Sequence, residues 1–588
     1  MKFNEFANYL QKLENTSKRL EITAILSDLI ETLSIEEVDR AIYLALGTLK
    51  AKYENPNFNI ADKMIIKALE FSFDIKAKDI QAHYGKSGDL GSVVNEISNV
   101  LDTGLTITEV YNELESLTQV SGTGSQDQKI RLLSSLLQKL DKLSAKFVVR
   151  IILGITRLGY TDLTVIDALS KFINNDKSLR KLIEEKYNIH PDIGLIAKSL
   201  KEKGMAGIKN IKIQIGIPIE AQKAQRLESS EEIIEKMGTV RAEYKFDGTR
   251  VQLHIDRKKT TKNFPLEQQS LLNDSSAMVF IKTFTRNLKE TTHQFPDIVE
   301  AANIQINADS AILDGEAVGY DIKSNQFLEF QKIMQRKRKY DIEKFLKEIP
   351  LKYYVFDILY LNGMELLDKT LRERRVLLES ILKPGGLILI NDYLETSNAE
   401  ELNEYFEVAK EKGLEGIVVK QPNSLYQAGA RSFSWVKFKQ SKSLKLNDTV
   451  DCTILGYYFG KGGRSKFGIG KFLVGIYNKK TNTYKTISKV GTGLKDEDWI
   501  YLKEVADKLK IKEKPKNLEI DKVFFPDVWI TPSIVIEAGA DEISRSDKHT
   551  VGYALRFPRL IRFRPDKDST DTTTIEEIKH LHETQKRG

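Results

Sequence analysis

The sequence predicts a multidomain α+β chain, with an all-α N-terminal part, an α/β central part and a small all-β part at the C-terminal end. Three patterns carry that expectation. Up to about Gly207 apolar residues recur at helix spacing, as in Phe3, Phe6, Leu10 and Leu13 and again in Leu132, Leu133, Leu136, Leu137 and Leu140. From about Val240 to Lys439 strand-like runs alternate with helix-like ones. From about Asp448 short strands such as Thr453–Tyr458, Phe472–Tyr477 and Val535–Ile536 are separated by Gly- and Lys-bearing loops, the pattern of a small barrel of the OB type. The expected divisions are 1–212, 213–440 and 441–588.

Composition narrows the classes. A chain of 588 residues is too long for one core and fits about three or four domains. No apolar run approaches a membrane span, and Lys2 and Glu5 interrupt the stretch a signal peptide would need, so an intracellular protein is expected. A single cysteine, Cys452, excludes a disulfide framework and any zinc site built from several thiolates. The net charge of +7 permits nucleic-acid binding without demanding it.

Glu243-Tyr244-Lys245-Phe246-Asp247-Gly248-Thr249-Arg250 is the stretch with the most chemistry. Period-two alternation sets Glu243, Lys245 and Asp247 on one strand face, and Gly248 permits a tight turn beside a ligand. A lysine amine that loses its proton can attack an electrophile such as nucleotide phosphorus. Alone, the stretch reads first as a surface strand with charge pairs. Further along, Thr285-Arg286-Asn287 ends a strand, and Ile312–Ala317 delivers Glu316 beside a glycine, where a carboxylate can hold ribose hydroxyls or Mg²⁺. Phe356, in the strand Tyr353–Tyr360, is either core or a stacking platform for a base. Glu415 and Lys420 bracket another apolar strand, and in Ser434–Lys439 alternation puts Lys437 and Lys439 on one face, where their repulsion calls for an anion between them.

Two N-terminal loops combine glycine, hydroxyl and base: Ser121–Gln126, with Gly122, Gly124 and Ser125, and Gly154–Gly159, with Arg157. Each reads as a helix cap or as a phosphate site. The segment Leu555–Lys567, which contains Arg559, reads as an unusually basic last strand, followed by a short polar helix. Arg336-Lys337-Arg338-Lys339 is a solvated basic helix face near DNA phosphates or a targeting run, and the polar segment Lys258–Ala277 is longer than a hairpin loop needs.

Six of these motifs, in order and across nearly the whole chain, resemble the ATP-dependent DNA ligases of archaeal and eukaryotic type. The resemblance implies a helical DNA-binding domain, an adenylation (nucleotidyltransferase) domain and an OB-fold domain. It implies that Lys245 takes AMP from ATP, that AMP passes to the 5′-phosphate of a nick in double-stranded DNA, and that the 3′-hydroxyl displaces it, in replication, repair and recombination. By the same resemblance Glu243 reads adenine, Arg250 and Glu316 the ribose region, and Phe356 the base face. Arg286, Lys420, Lys437, Lys439 and Arg559 face phosphate, Glu316 and Glu415 hold Mg²⁺, and Gly122, Gly124, Ser125 and Arg157 contact DNA. Where the family often carries Met-Leu-Ala, this chain has Glu220-Ala221-Gln222-Lys223-Ala224. NAD-dependent ligases normally carry a four-cysteine zinc module, which one cysteine cannot build, and RNA capping enzymes would not need the helical domain. A nick-binding scaffold that has lost catalysis is the alternative from another class. A monomer without membrane attachment is expected, cytoplasmic and nucleoid-associated in a prokaryote or archaeon. No clear clamp-binding peptide stands out, which leaves a sliding clamp open as a partner.

Overall fold

The computed structural model describes all residues except 55, 261–278, 322–325, 329–348, 440–448, 461–463, 465–466 and 586–588. The basic run Arg336–Lys339, most of the 258–277 segment and the 440–447 stretch between the central and strand-rich parts therefore lie outside the described residues.

Helices fill the N-terminal part, and among the described residues no strand precedes Lys223. Helix Phe3–Glu14 buries Phe3, Phe6, Ala7, Leu10 and Leu13, the stripe its spacing predicts. Helix Ser125–Leu137 buries Ile130, Leu133, Leu136 and Leu137 against the same core, which runs from Phe3 to Ile211. Its start explains the glycines of that loop: Gly122 and Gly124 have φ of 88° and 79°, a left-handed conformation that side chains resist.

Two sheets build the central part. One has the order β1 (Lys223–Arg226), β12 (Arg431–Lys439), β11 (Gly416–Lys420), β2 (Val240–Lys245), β10 (Tyr393–Thr396). The other runs β4 (Val279–Thr285), β3 (Thr249–Thr260), β5 (Ser310–Asp321), β7 (Leu351–Leu361), β8 (Met364–Glu365), with β6 (Gln326–Phe327) on β5 and β9 (Ile388–Ile390) on β7. Alternation sorts the residues. Val251, Leu253 and Ile255 of β3 pack with Leu313, Val355 and Ile358 in one core. Val240, Ala242, Ile417, Val419, Val436 and Phe438 pack against Ile233, Leu402 and Phe406 of two helices in another. The opposite face of the first sheet is left for polar residues, and register aligns them: Lys245 pairs with Gly416 and Gly416 with Lys439, while Glu243 pairs with Val418 and Val418 with Lys437. Gly248 serves close approach to the protein itself, since a Cβ there would sit 2.4 Å from the Ala317 carbonyl oxygen.

The C-terminal part is strand-rich, as expected. Its main sheet follows β16 (Lys510–Ile511), β18 (Val528–Ile530), β13 (Val450–Tyr458), β14 (Lys471–Asn478), β15 (Thr483–Val490), β17 (Leu518–Glu519), and β19 (Val535–Gly539) joins β13 to β22 (Arg559–Phe563). Among the described residues β16 and β17 do not pair, so this ladder does not close into a ring. The segment read as one basic strand is two: β21 (Tyr553–Arg556) pairs with β20 (Glu542–Arg545) and β22 pairs with β19. The break falls at Phe557, with φ of 50°, and at Pro558, which has no N–H for a ladder. Helix Ile575–Thr584 supplies the expected polar tail.

One buried ion pair ties the central sheet to its helix. Arg374 and Asp357 have side chains fully shielded from solvent, and two N–H groups of Arg374 donate to the carboxylate at 2.6 and 2.9 Å. Arg374→Leu should cost about 3–5 kcal/mol, because it strands Asp357 without a partner, and Arg374→Leu with Asp357→Leu should recover much of that loss. Urea unfolding of the three proteins checks this, and equal destabilisation by the single and double changes would contradict it.

Candidate active site

Residues from both sheets meet around a cavity of about 500 Å³. The period-two faces of β2, β11 and β12 bring Glu243, Lys245, Lys420, Trp435, Lys437 and Lys439 to it, and the second sheet adds Arg250, Glu316 and Phe356. Thr285, Arg286 and Asn287 enter from the end of β4. The cavity thus gathers every residue expected to meet nucleotide or metal except Arg559. That residue stands on the strand-rich part, donates to Asp541 at 3.0 Å and does not line the cavity.

Glu415 sits at the centre of the charge pattern. One of its oxygens accepts from Lys245 in a short hydrogen bond, and the other accepts from Lys439 at 2.6 Å. Burial pushes this carboxyl up, but the two lysines outweigh it and hold Glu415 below the usual carboxylate range. Lys437 has no hydrogen bond or ion pair among the described residues. Burial, and then the charges of Lys439, Arg431 and Lys245, push its amine down. Lys245, Lys437 and Lys439 therefore face the cavity with Glu415 among them, a local surplus of positive charge that suits an anion.

The inner end combines aromatic rings with paired charges. Lys420, 1% exposed, donates to Glu243 at 2.7 Å and lies 4.7 Å from the ring centroid of Phe356 and 4.4 Å from that of Trp435. Burial lowers its pKa, and Glu243 and Asp357 oppose that shift. Arg250 is clamped on Asp314 by two bonds of 3.0 and 2.6 Å and on the Gln222 carbonyl at 2.8 Å, while Tyr426 donates to the same Asp314 at 2.9 Å. Phe356 belongs both to the cavity lining and to a core cluster with Leu359 and Trp435, so the two sequence alternatives for it coexist.

Glu316 differs from its neighbours in having no hydrogen-bond or ion-pair partner among the described residues. Its pKa is raised to about 7, by burial first and then by Asp314 and Glu415, against the pull of Lys245 and Arg250. A half-buried carboxyl without a proton donor suits a cation. No group of three or more His, Cys, Asp or Glu suited to a metal occurs among the described residues, so the protein offers few ligands of its own.

Sequence reasoning missed Asp314, Tyr426, Trp435 and Asn391. Trp435 was within reach, since the alternation that pairs Lys437 with Lys439 also includes it. Tyr426 comes from a loop, between Leu425 and Gln427 and without periodicity, and carried no signal. In the N-terminal loops, Gly122 and Gly124 are exposed and Ser125 opens its helix, while Arg157 donates to the Gly88 carbonyl at 2.8 Å, near Phe459 of the strand-rich part.

Comparison with known proteins follows the same order along the chain. Residues 2–170 match the family described as DNA ligase N terminus, 277–439 the ATP dependent DNA ligase domain, and 465–567 the ATP dependent DNA ligase C terminal region. The probable DNA ligase of Dictyoglomus turgidum is 40% identical over 100% of this chain and 98% of its own length. DNA ligase 1 of Methanosarcina acetivorans is 37% identical over 99% of this chain and 100% of its own. A solved structure named Pmar-Lig_PreS3 shares the fold, with a TM-score of 0.53 at 17% identity, covering 95% of this chain and 99% of that one. With three ligase segments matched in order and relatives this similar along their whole length, the chain belongs to the family of ATP-dependent DNA ligases.

Proposed function

We propose that this ligase seals nicks in double-stranded DNA through a covalent AMP on Lys245. The observation that carries the proposal is the position of that lysine. It stands at the end of β2, in register with Gly416 and Lys439, held by Glu415 and facing a cluster of cations. To act, the amine leaves its ion pair with Glu415 and gives up a proton. Its nitrogen then bonds to the α-phosphorus of ATP, the bond from that phosphorus to the bridging oxygen breaks, and pyrophosphate departs with the electron pair. In the second step a 5′-phosphate oxygen of the nick displaces the lysine from AMP, and in the third the 3′-hydroxyl displaces AMP. Each is a phosphoryl transfer, in which position and charge neutralisation matter most.

The chain's own residues divide the work by place. The base lies between Phe356 and the sheet face, with Glu243 on its edge. Glu243 is held in place by Lys420, and Arg250 by Asp314, so neither must reorganise when nucleotide arrives. Lys437, free of a carboxylate partner, takes phosphate directly, and Lys439 joins it when Glu415 is drawn away; Arg286 adds a third cation. Arg559 reaches the nucleotide only if the strand-rich part docks over the cavity and Arg559 gives up Asp541. The exposed glycines Gly122 and Gly124 let a DNA phosphate approach the backbone closely, and Ser125, whose N–H donates to the Gly122 carbonyl at 3.2 Å, offers its hydroxyl.

Mg²⁺ fits Glu316, whose carboxylate has no hydrogen-bond or ion-pair partner among the described residues. Glu415 fits only after its two lysines let go, because both its oxygens are occupied. Held by Glu316, such an ion would supply positive charge against the triphosphate. The intact set of Lys245, Glu316, Glu415, Lys437 and Lys439 speaks against a scaffold without catalysis. Action in replication, repair and recombination, cytoplasmic and as a monomer, belongs to the same proposal.

Two outcomes are expected. Lys245→Ala and Lys245→Arg should both lose labelling by radioactive ATP, since a guanidinium stays protonated and cannot attack. Label retained after denaturation in either variant would remove Lys245 as the nucleophile. The second outcome follows from the raised pKa of Glu316, about 7 in the folded protein. At low pH the carboxyl is neutral whether the chain is folded or not, and no cost arises. As pH climbs from the ordinary carboxylate range towards 7 the unfolded chain ionises first, so Glu316 increasingly disfavours the folded state, and above that the cost is constant. Glu316→Gln should therefore raise the melting temperature of the nucleotide-free protein more at about pH 8 than at about pH 5. A gain of equal size at both pH values would contradict this.

A further inference from the structure

The turn that brings Arg286 and Asn287 to the cavity is closed by two backbone bonds, Thr285 N–H to Lys289 O at 2.9 Å and Leu288 N–H to Thr285 O at 2.8 Å. Within it Leu288 has φ of 64°, a left-handed conformation that a leucine adopts only where its surroundings enforce it. Those surroundings come from another part of the chain. Leu288, 3% exposed, and Phe284 form one apolar cluster with Ala51 and Tyr53 of the helical part, and Ile217 packs alongside.

Charge follows the same path. Lys52, next to Tyr53, donates to Asp162 at 2.5 Å within the helical part. It also acts, with Lys223 and Arg286, on Glu220 of the central part, where burial raises the carboxyl and these cations oppose it. Lys223 and Arg286 both line the cavity. The helical part therefore touches the turn through its apolar anchor and through the ion cluster beside it.

We propose that Tyr53 and Leu288 are positioning residues for the nucleotide. Docking of the helical part on Leu288 holds the left-handed turn and so sets where the Arg286 guanidinium stands against the triphosphate. This rests on the cavity being the ATP site. It makes the helical part a contributor to the first chemical step, before any DNA is bound.

The test is single-turnover labelling of the full chain by radioactive ATP, without DNA, over a range of ATP concentrations. Tyr53→Ala should raise the ATP concentration for half-maximal rate by about tenfold, the loss typical of a weakened hydrogen bond to a charged group, and leave the limiting rate nearly unchanged. Tyr53→Phe should behave as the unmodified protein. Tyr53 lies outside the core of the helical part, so its removal leaves that core intact. Leu288→Gly gives an independent check, because glycine accepts the left-handed turn but supplies no anchor, and it should reproduce the shift. Combined with Arg286→Ala, Tyr53→Ala should add nothing further. Half-saturation within about twofold of the unmodified protein for both Tyr53→Ala and Leu288→Gly would overturn the proposal, as would full additivity with Arg286→Ala. Absence of any labelling in the unmodified chain would instead overturn the lysyl-AMP mechanism on which it rests.

Discussion

The sharing of one carboxylate by two lysines organises this site. Glu415 binds Lys245 through one oxygen and Lys439 through the other, and the pairing of β2 with β11 and of β11 with β12 makes that sharing unavoidable. Ammonium groups on adjacent strands repel, and Glu415 relieves that repulsion for two of them while leaving Lys437 exposed to it. The resting site thus holds a surplus of positive charge that suits an anion. In the proposed mechanism an incoming nucleotide competes with Glu415 for the same lysines, so that filling the cavity releases Lys245 from its ion pair.

Around this mobile centre the second layer is fixed. Lys420 with Glu243, Arg250 with Asp314 and Tyr426, and Arg374 with Asp357 are pairs whose members are mostly buried. Such pairs add little net stability, since taking both charges out of water costs about as much as their attraction returns. Their effect is geometric: the first two lock Glu243, Lys420 and Arg250 at the cavity wall, and the third ties the central sheet to its helix, so that charge is preorganised at the cavity. The contrast between a shared, exchangeable carboxylate at Lys245 and locked pairs behind it suits a lysine that must move and a base pocket that must not.

Much of this was legible in the chain. Helix spacing predicts the N-terminal core down to Phe3, Phe6, Leu10 and Leu13, and period-two alternation predicts that Lys437 and Lys439 share a face, because both patterns are local consequences of backbone geometry. The strand-rich end was legible as well, but not the break at Phe557, where a left-handed residue and a proline divide what reads as one basic strand. What depends on long-range packing left no trace. Tyr426 on Asp314, the anchor of Leu288 on Ala51 and Tyr53, and the bond from Arg157 to Gly88 each join segments far apart in sequence. Arg157, which reads as a candidate for DNA phosphate, also joins two parts of the helical domain through its bond to the Gly88 carbonyl.

The central claim is that the amine of Lys245, released from Glu415, becomes the site of AMP attachment. The direct measurement is to incubate the unmodified chain with ATP and Mg²⁺, digest it, and locate the adduct by mass spectrometry of the peptides. The account predicts AMP on the peptide containing Lys245 and on no other. An adduct on Lys437 or Lys439, which face the same cavity, or a chain that seals nicks without any adduct, would contradict it.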